Sequence, residues 1–243
     1  MKSHESPSNK LIVALDVENL HEAKKLINQL DEQVNFYKIG LELMMSKDYF
    51  HLIDFLYQKN KKIFADLKLY DIGNTVGRAV ENLAKMPIDL LTIHIANRDI
   101  MKRACENKGN LKIIGVTVLT SLDNQDIMEM GFDKSLSVEE LVIKKTALAL
   151  ECGLDGVVSS ALEADKLRKN FGDDFVIVAP GIRLNQEDKP IRDDQKRVTT
   201  INQAIDSGAS YFVVGRPITR SENPYEIAKL FQQQIISSVS NNY

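Results

Sequence analysis

Eight short apolar runs punctuate the chain, at 11–17, 36–40, 62–68, 90–96, 112–120, 156–160, 175–180 and 211–215. They are rich in Val and Ile and continuous more than alternating, the pattern of strands covered on both faces. The segments between them look helical, with apolar residues at helical spacing in 46–60, 97–107, 161–170 and 223–237. Ser137-Val-Glu-Glu140 is a capping box that predicts a helix running to about Cys152, and Gly153 supplies its stop. Strands alternating with helices imply parallel pairing and right-handed crossovers. Eight such units in 243 residues predict an α/β fold, a (β/α)8 TIM barrel in a single domain over 1–243, opened by a polar segment at 1–10. An open doubly wound sheet is the runner-up, weakened because no Gly-x-Gly-x-x-Gly follows the first run.

Two connections are too long for plain turns, 121–136 and 184–198. The second is dense in charge, with Glu187, Asp188, Lys189, Arg192, Asp193, Asp194, Lys196 and Arg197. Long loops in compact domains are often lids or binding loops. Most of those charges also suit a solvated surface excursion.

In such a barrel the carboxyl ends of the strands converge on one mouth. Polar groups gather at those ends: Asp16, Lys38, Asp66 with Lys68, His94, Thr120 with Ser121, Ser159 with Ser160, Arg183 and Arg216. The third run says the most. Asp66 and Lys68 lie two apart on a strand, so they share a face and Leu67 takes the other. Buried charges are costly unless paired, so a strand ending this way is either a structural ion pair or a site.

Gly215-Arg216-Pro217 closes the eighth run, where this architecture commonly holds phosphate. A glycine lets backbone N–H groups approach an anion, and arginine adds a planar donor fork. Pro180-Gly-Ile-Arg183, one strand earlier, favours the phosphate reading over a plain turn with a surface arginine. His94 has apolar or small neighbours, which predicts a packed, hydrogen-bonded histidine in preference to a catalyst. The mouth mixes lysine and carboxylate one for one, which suits a salt-bridged network better than a metal cage.

Composition narrows the classes further. With 44% hydrophobic residues the chain can build a sizeable core, and a net charge of −3 leaves no basic footprint for nucleic acid. Cys105 and Cys152 lack metal-ligand spacing and are expected to be reduced, partly buried thiols. The first ten residues are polar, and no run approaches the ~18 apolar residues that span a bilayer. The expected location is cytoplasmic, with no membrane or nucleic-acid partner.

Asp66-Leu-Lys68-Leu-Tyr-Asp71-Ile-Gly-Asn-Thr75 closely resembles the signature of the orotidine 5'-phosphate decarboxylase family. The likeness covers nearly the whole chain, through Leu15-Asp16-Val17, Tyr37-Lys38-Ile-Gly40, Val116-Thr-Val-Leu-Thr120-Ser121, Pro180-Gly-Ile-Arg183, Asp194-Gln195-Lys-Arg197 and Val214-Gly215-Arg216-Pro217-Ile218-Thr219. The Asp-x-Lys-x-x-Asp core alone is shared with relatives acting on sugar phosphates. The glutamine-bearing loop and the Gly-Arg turn make the decarboxylase specific.

The resemblance implies a (β/α)8 barrel, a homodimer, and conversion of orotidine 5'-monophosphate to UMP and CO2 in de novo pyrimidine biosynthesis, with no cofactor and no metal. It implies Lys68 as proton donor to C6, Asp66 against the departing carboxylate, Lys38 completing the charged row, and Asp71 entering from the neighbouring subunit. Asp16 and Lys38 would hold ribose hydroxyls. Thr75, also from the neighbour, would touch the ribose, and Thr120 the pyrimidine edge. Arg183, Gly215 and Arg216 would take the phosphate, while Gln195 bridges phosphate and base from a phosphate-closing loop at 184–198.

Three departures stand out: Gly73 where the family often has proline, Asp193 where glycine is common, and Asn97-Arg98 where two glycines are frequent. They bear on loop stiffness. Two rivals remain. A sugar-phosphate decarboxylase or aldolase with the same core would need Mg²⁺ and lose activity in EDTA. A non-catalytic phosphate- or nucleotide-sensing barrel would bind without turnover.

Overall fold

The structure, a computed structural model, describes residues 6–185 and 197–240. Its strands are β1 (Leu11–Ala14), β2 (Phe36–Gly40), β3 (Lys62–Leu69), β4 (Leu90–His94), β5 (Lys112–Val116), β6 (Gly156–Val158), β7 (Val176–Ala179), β8 (Ile182–Arg183), β9 (Thr199–Thr200) and β10 (Tyr211–Val214). Eight of them close a barrel in the order β1-β10-β7-β6-β5-β4-β3-β2. The pairing of β1 with β10, Leu11 opposite Phe212, seals the ring and excludes the open doubly wound sheet.

These eight are the eight apolar runs. Several stop short of the run, β1 at Ala14 and β5 at Val116, so that 15–17 and 117–120 become rim. β8 and β9 lie outside the eight runs. They pair Ile182 with Thr199 and Arg183 with Thr200, tying together the two ends of 184–198.

The helices are α1 (Leu20–Leu30), α2 (Leu41–Met44), α3 (Tyr49–Gln58), α4 (Gly73–Leu83), α5 (Arg98–Glu106), α6 (Asn124–Glu129), α7 (Val138–Glu151), α8 (Ala161–Phe171), α9 (Ile201–Asp206), α10 (Arg216–Thr219) and α11 (Pro224–Ser240). The Ser137–Glu140 capping box opens α7 as expected. The long 121–136 connection holds α6 with its own box, Asp123 with Asp126. Among the described residues, no helix is long and apolar enough to cross a membrane. Cys105 and Cys152 are both free, the first partly buried and the second buried.

Strand parity divides the core. Leu11, Val13, Tyr37, Ile39, Ile63 and Ala65 belong to the large cluster packed with the helices. Their alternates Ile12, Ala14, Phe36, Phe64, Leu90, Ile114, Val178 and Tyr211 form a second cluster that plugs the barrel. Phe36 and Tyr211 meet edge to face at 5.6 Å within that plug. Continuing two residues along each strand from the plug reaches Asp16 from Ala14, Lys38 from Phe36, Asp66 from Phe64 and Thr92 from Leu90. The barrel interior thus changes from hydrocarbon to charge toward the carboxyl ends of its strands.

Candidate active site

The three charges reached by parity, Asp16, Lys38 and Asp66, form one connected row with Lys68. Lys38 Nζ donates to Asp16 Oδ1 at 2.9 Å and lies 3.5 Å from Asp66 Oδ2. Lys68 Nζ donates to that same Asp66 oxygen at 2.8 Å. The other Asp66 oxygen accepts from the Thr92 hydroxyl at 2.9 Å. Gly40 leaves room for the row, since a Cβ there would come within 3.2 Å of Lys38 Nζ.

Lys68 does not sit on a regular strand. Its φ is +49°, in the left-handed region that costs a side-chain-bearing residue roughly 1–3 kcal/mol. The β3–β4 register slips between Ala65 and Leu69 at the same place. The irregularity is held by Thr92, whose hydroxyl oxygen accepts the Lys68 backbone N–H at 2.9 Å while its proton goes to Asp66. One buried hydroxyl therefore sets both the Lys68 backbone and the Asp66 carboxylate. The parity signal for Thr92 is present in the sequence, two residues after Leu90 on an apolar strand, but a threonine among apolar and small neighbours does not stand out as a site residue.

Electrostatics keeps Asp66 and Lys38 charged. Burial opposes ionisation of Asp66, but Lys38 and Lys68, with hydrogen bonds from Lys68 and Thr92, outweigh it and hold the carboxyl below its usual range. Burial likewise opposes the Lys38 ammonium, yet Asp66 and Asp16 raise its pKa above the ordinary lysine value. A carboxyl depressed in the folded state stabilises, relative to its protonated form, at all pH above the unfolded value of about 4, and loses this only on further acidification. The stability gap between wild type and Asp66→Asn, read from urea unfolding, is therefore expected to hold from pH 7 to about 5 and to shrink below about pH 4. A gap unchanged at pH 3 would contradict this ionisation state.

A cavity of about 410 Å³ opens above the row. Asp16, Lys38, Asp66 and Lys68 form one wall, and Thr120 and Ser121 lie on the β5 side. Arg183, Gly215 and Arg216 line the end formed by the last strands. Arg183 is buried, and Gly215 is the N-cap residue of α10. The sequence-predicted residues of both groups are thus brought to one mouth.

Asp71 and Thr75 are not. Both are exposed, beyond the end of β3 and in the first turn of α4, and Asp71 Oδ1 accepts the N–H of Ile72 at 2.6 Å. His94 departs from expectation in one respect. It is half-buried and packs edge-on to Tyr70, ring centres 5.8 Å apart, but among the described residues its ring has no hydrogen bond. Burial, then Lys145 and Lys68, push its pKa down.

Residues 9–231 match the family described as Orotidine 5'-phosphate decarboxylase / HUMPS family. The chain belongs to that family. The orotidine 5'-phosphate decarboxylase of Methylococcus capsulatus is 49% identical over 228 residues, 94% of this chain and 92% of that one. The protein of the same name from Nitrobacter winogradskyi is 45% identical over 241 residues, 98% of each. The crystal structure of orotidine 5'-phosphate decarboxylase from Lactobacillus acidophilus matches with a TM-score of 0.80 at 33% identity, over 93% of this chain and 99% of that one. Likeness to decarboxylases of this extent places the chain among the carboxy-lyases.

The departures from the orotidine 5'-phosphate decarboxylase pattern have local accounts where they fall on described residues. Gly73 lies under α5, and a Cβ there would come within 2.0 Å of Asp99 Oδ2. Asn97 caps α5 by accepting the Ile100 N–H at 3.0 Å, and Arg98 pairs with Glu151 on the surface at 2.7 Å. Gln195, Asp193 and most of the 184–198 loop lie outside the described residues.

Proposed function

We propose that the chain converts orotidine 5'-monophosphate to UMP and CO2 without a cofactor, with Lys68 delivering the proton to C6. The observation that carries this reading is the row Asp16–Lys38–Asp66–Lys68 along one wall of the mouth, the Lys68 ammonium being 2.8 Å from Asp66 and lining the cavity. In the step, the C6–carboxylate bond breaks and its electron pair stays on C6 in an in-plane orbital that the ring π-system stabilises poorly. CO2 leaves, an Nζ–H proton of Lys68 passes to C6, and water reprotonates the amine. A fixed ammonium serves this chemistry as both counter-charge and acid.

Magnitudes argue that Lys68 does not act alone. One charge at about 4 Å is worth on the order of 4 kcal/mol at an effective dielectric of 20. Demanding reactions need cuts of ~20 kcal/mol. The remainder falls to preorganisation of the row and to binding energy from the remote phosphate. Asp66 serves the first by fixing Lys68. Its repulsion of the substrate carboxylate is a second contribution of contested weight.

In the same reading Asp16 and Lys38 hold the ribose hydroxyls, Thr120 meets the pyrimidine edge, and Arg183, Gly215 and Arg216 take the phosphate. Gln195 bridges phosphate and base. Asp71 and Thr75 serve the site of a second subunit in a homodimer. Their exposure supports this, as do Tyr70 and Ile72 beside Asp71, apolar side chains 69% and 70% exposed.

Incubation with orotidine 5'-monophosphate in EDTA, followed by ultraviolet absorbance and CO2 release, tests the function. Stoichiometric UMP and CO2 are expected. Turnover that EDTA abolishes and Mg²⁺ restores would favour the sugar-phosphate relatives. Arg216→Ala is expected to lower kcat/KM for the nucleotide at least about tenfold more than for unphosphorylated orotidine. Equal losses on both would remove Arg216 from the phosphate grip.

A further inference from the structure

Glu163 is 5% exposed, a carboxylate outside the charged row and outside the cavity lining. Burying a carboxylate and a guanidinium is costly unless hydrogen bonds satisfy both groups. Here both carboxylate oxygens and both arms of the guanidinium fork are bonded, and Arg197 Nε alone of that group has no partner among the described residues. Arg197 Nη1 donates to Glu163 Oε1, and the Ser159 hydroxyl donates to Glu163 Oε2 at 3.1 Å. The other arm of the fork, Arg197 Nη2, donates to the backbone carbonyls of Val118 and Leu119, each at 3.1 Å. Lys145 Nζ donates to the carbonyl just before them, Thr117, at 2.8 Å.

Those three carbonyls lie past the end of β5, where the strand ladder no longer supplies partners. Two cations that do not line the cavity replace the ladder. The same few residues present Val118, Leu119, Thr120 and Ser121 to the cavity. We propose that Arg197, braced by Glu163 and Ser159, is a positioning residue that fixes the 118–120 wall against the pyrimidine. The proposal rests on the nucleotide reading given above. A planar fork reaches a carboxylate and two carbonyls together, which a lysine cannot.

The test compares full-length wild type, Arg197→Met, Arg197→Lys, Thr120→Ala and the Arg197→Met/Thr120→Ala pair by calorimetric titration with UMP and with ribose 5-phosphate. Circular dichroism checks folding. Arg197→Met is expected to weaken UMP about tenfold or more and ribose 5-phosphate less than about twofold, with Arg197→Lys recovering part of the loss. Adding Thr120→Ala should then cost little more, because one wall is already lost. If Arg197→Met does not fold, the near-isosteric Glu163→Gln carries the same comparison. Parallel loss of both ligands, or loss of neither, would overturn the positioning role. A wild-type protein that binds UMP no better than ribose 5-phosphate would overturn the nucleotide reading itself, a separate failure.

Discussion

Lys68→Ala is expected to lose turnover of orotidine 5'-monophosphate by about 10⁴-fold or more while binding UMP within about tenfold of wild type. The size follows from combining two effects: loss of a positioned acid, typically 10²–10⁴-fold, and loss of a preorganised counter-charge, typically 10²–10³-fold. UMP carries no C6 carboxylate, so its contacts do not run through the ammonium. Deleting Lys68 also leaves Asp66 with Lys38 at 3.5 Å as its remaining cation. The variant should therefore be checked for folding by urea denaturation before its rate is read. A folded variant that retains turnover within about tenfold of wild type would remove Lys68 as the proton donor.

The second large effect tests the proposed homodimer. Asp71→Ala alone is expected to be nearly inactive, as Lys68→Ala is. Mixing the two inactive proteins under conditions of verified subunit exchange should regenerate activity. In a twofold dimer each hybrid has one site carrying both substitutions and one carrying neither. Random pairing makes about half of the dimers hybrid, so recovery should approach about a quarter of wild-type activity. No recovery despite exchange would place Asp71 in its own chain's site, or out of the chemistry altogether.

The barrel was legible because its signal is local. A strand covered on both faces must be a continuous apolar run, and eight such runs recur. The charged row was legible for a related reason. Parity carries Phe64 to Asp66 to Lys68 on one face and puts Leu67 with the outer cluster. The neighbours follow parity even though the backbone leaves the regular strand, since Lys68 adopts a positive φ at a slipped register. Nothing in a lysine's identity announces this; it depends on Thr92, 24 residues away.

The Glu163–Arg197 brace was hidden for the same reason. Its partners are 34 residues apart, and Arg197 stands in a charge-dense stretch that suits solvent equally well. The β8–β9 ladder, two residues per strand, is too short for any periodicity to show. Gly73 stands where the family often has proline. It lies against the Asp99 side chain of α5, a contact between two helices that local patterns do not encode.

The most direct test of the account is a crystal structure with a UMP analogue bearing an anionic oxygen at C6, which mimics the charge that develops when CO2 departs. The expected result places Lys68 Nζ within hydrogen-bond distance of that oxygen, with the phosphate at Gly215 and Arg216. A nucleotide bound with C6 remote from Lys68, or outside the 410 Å³ mouth altogether, would contradict it.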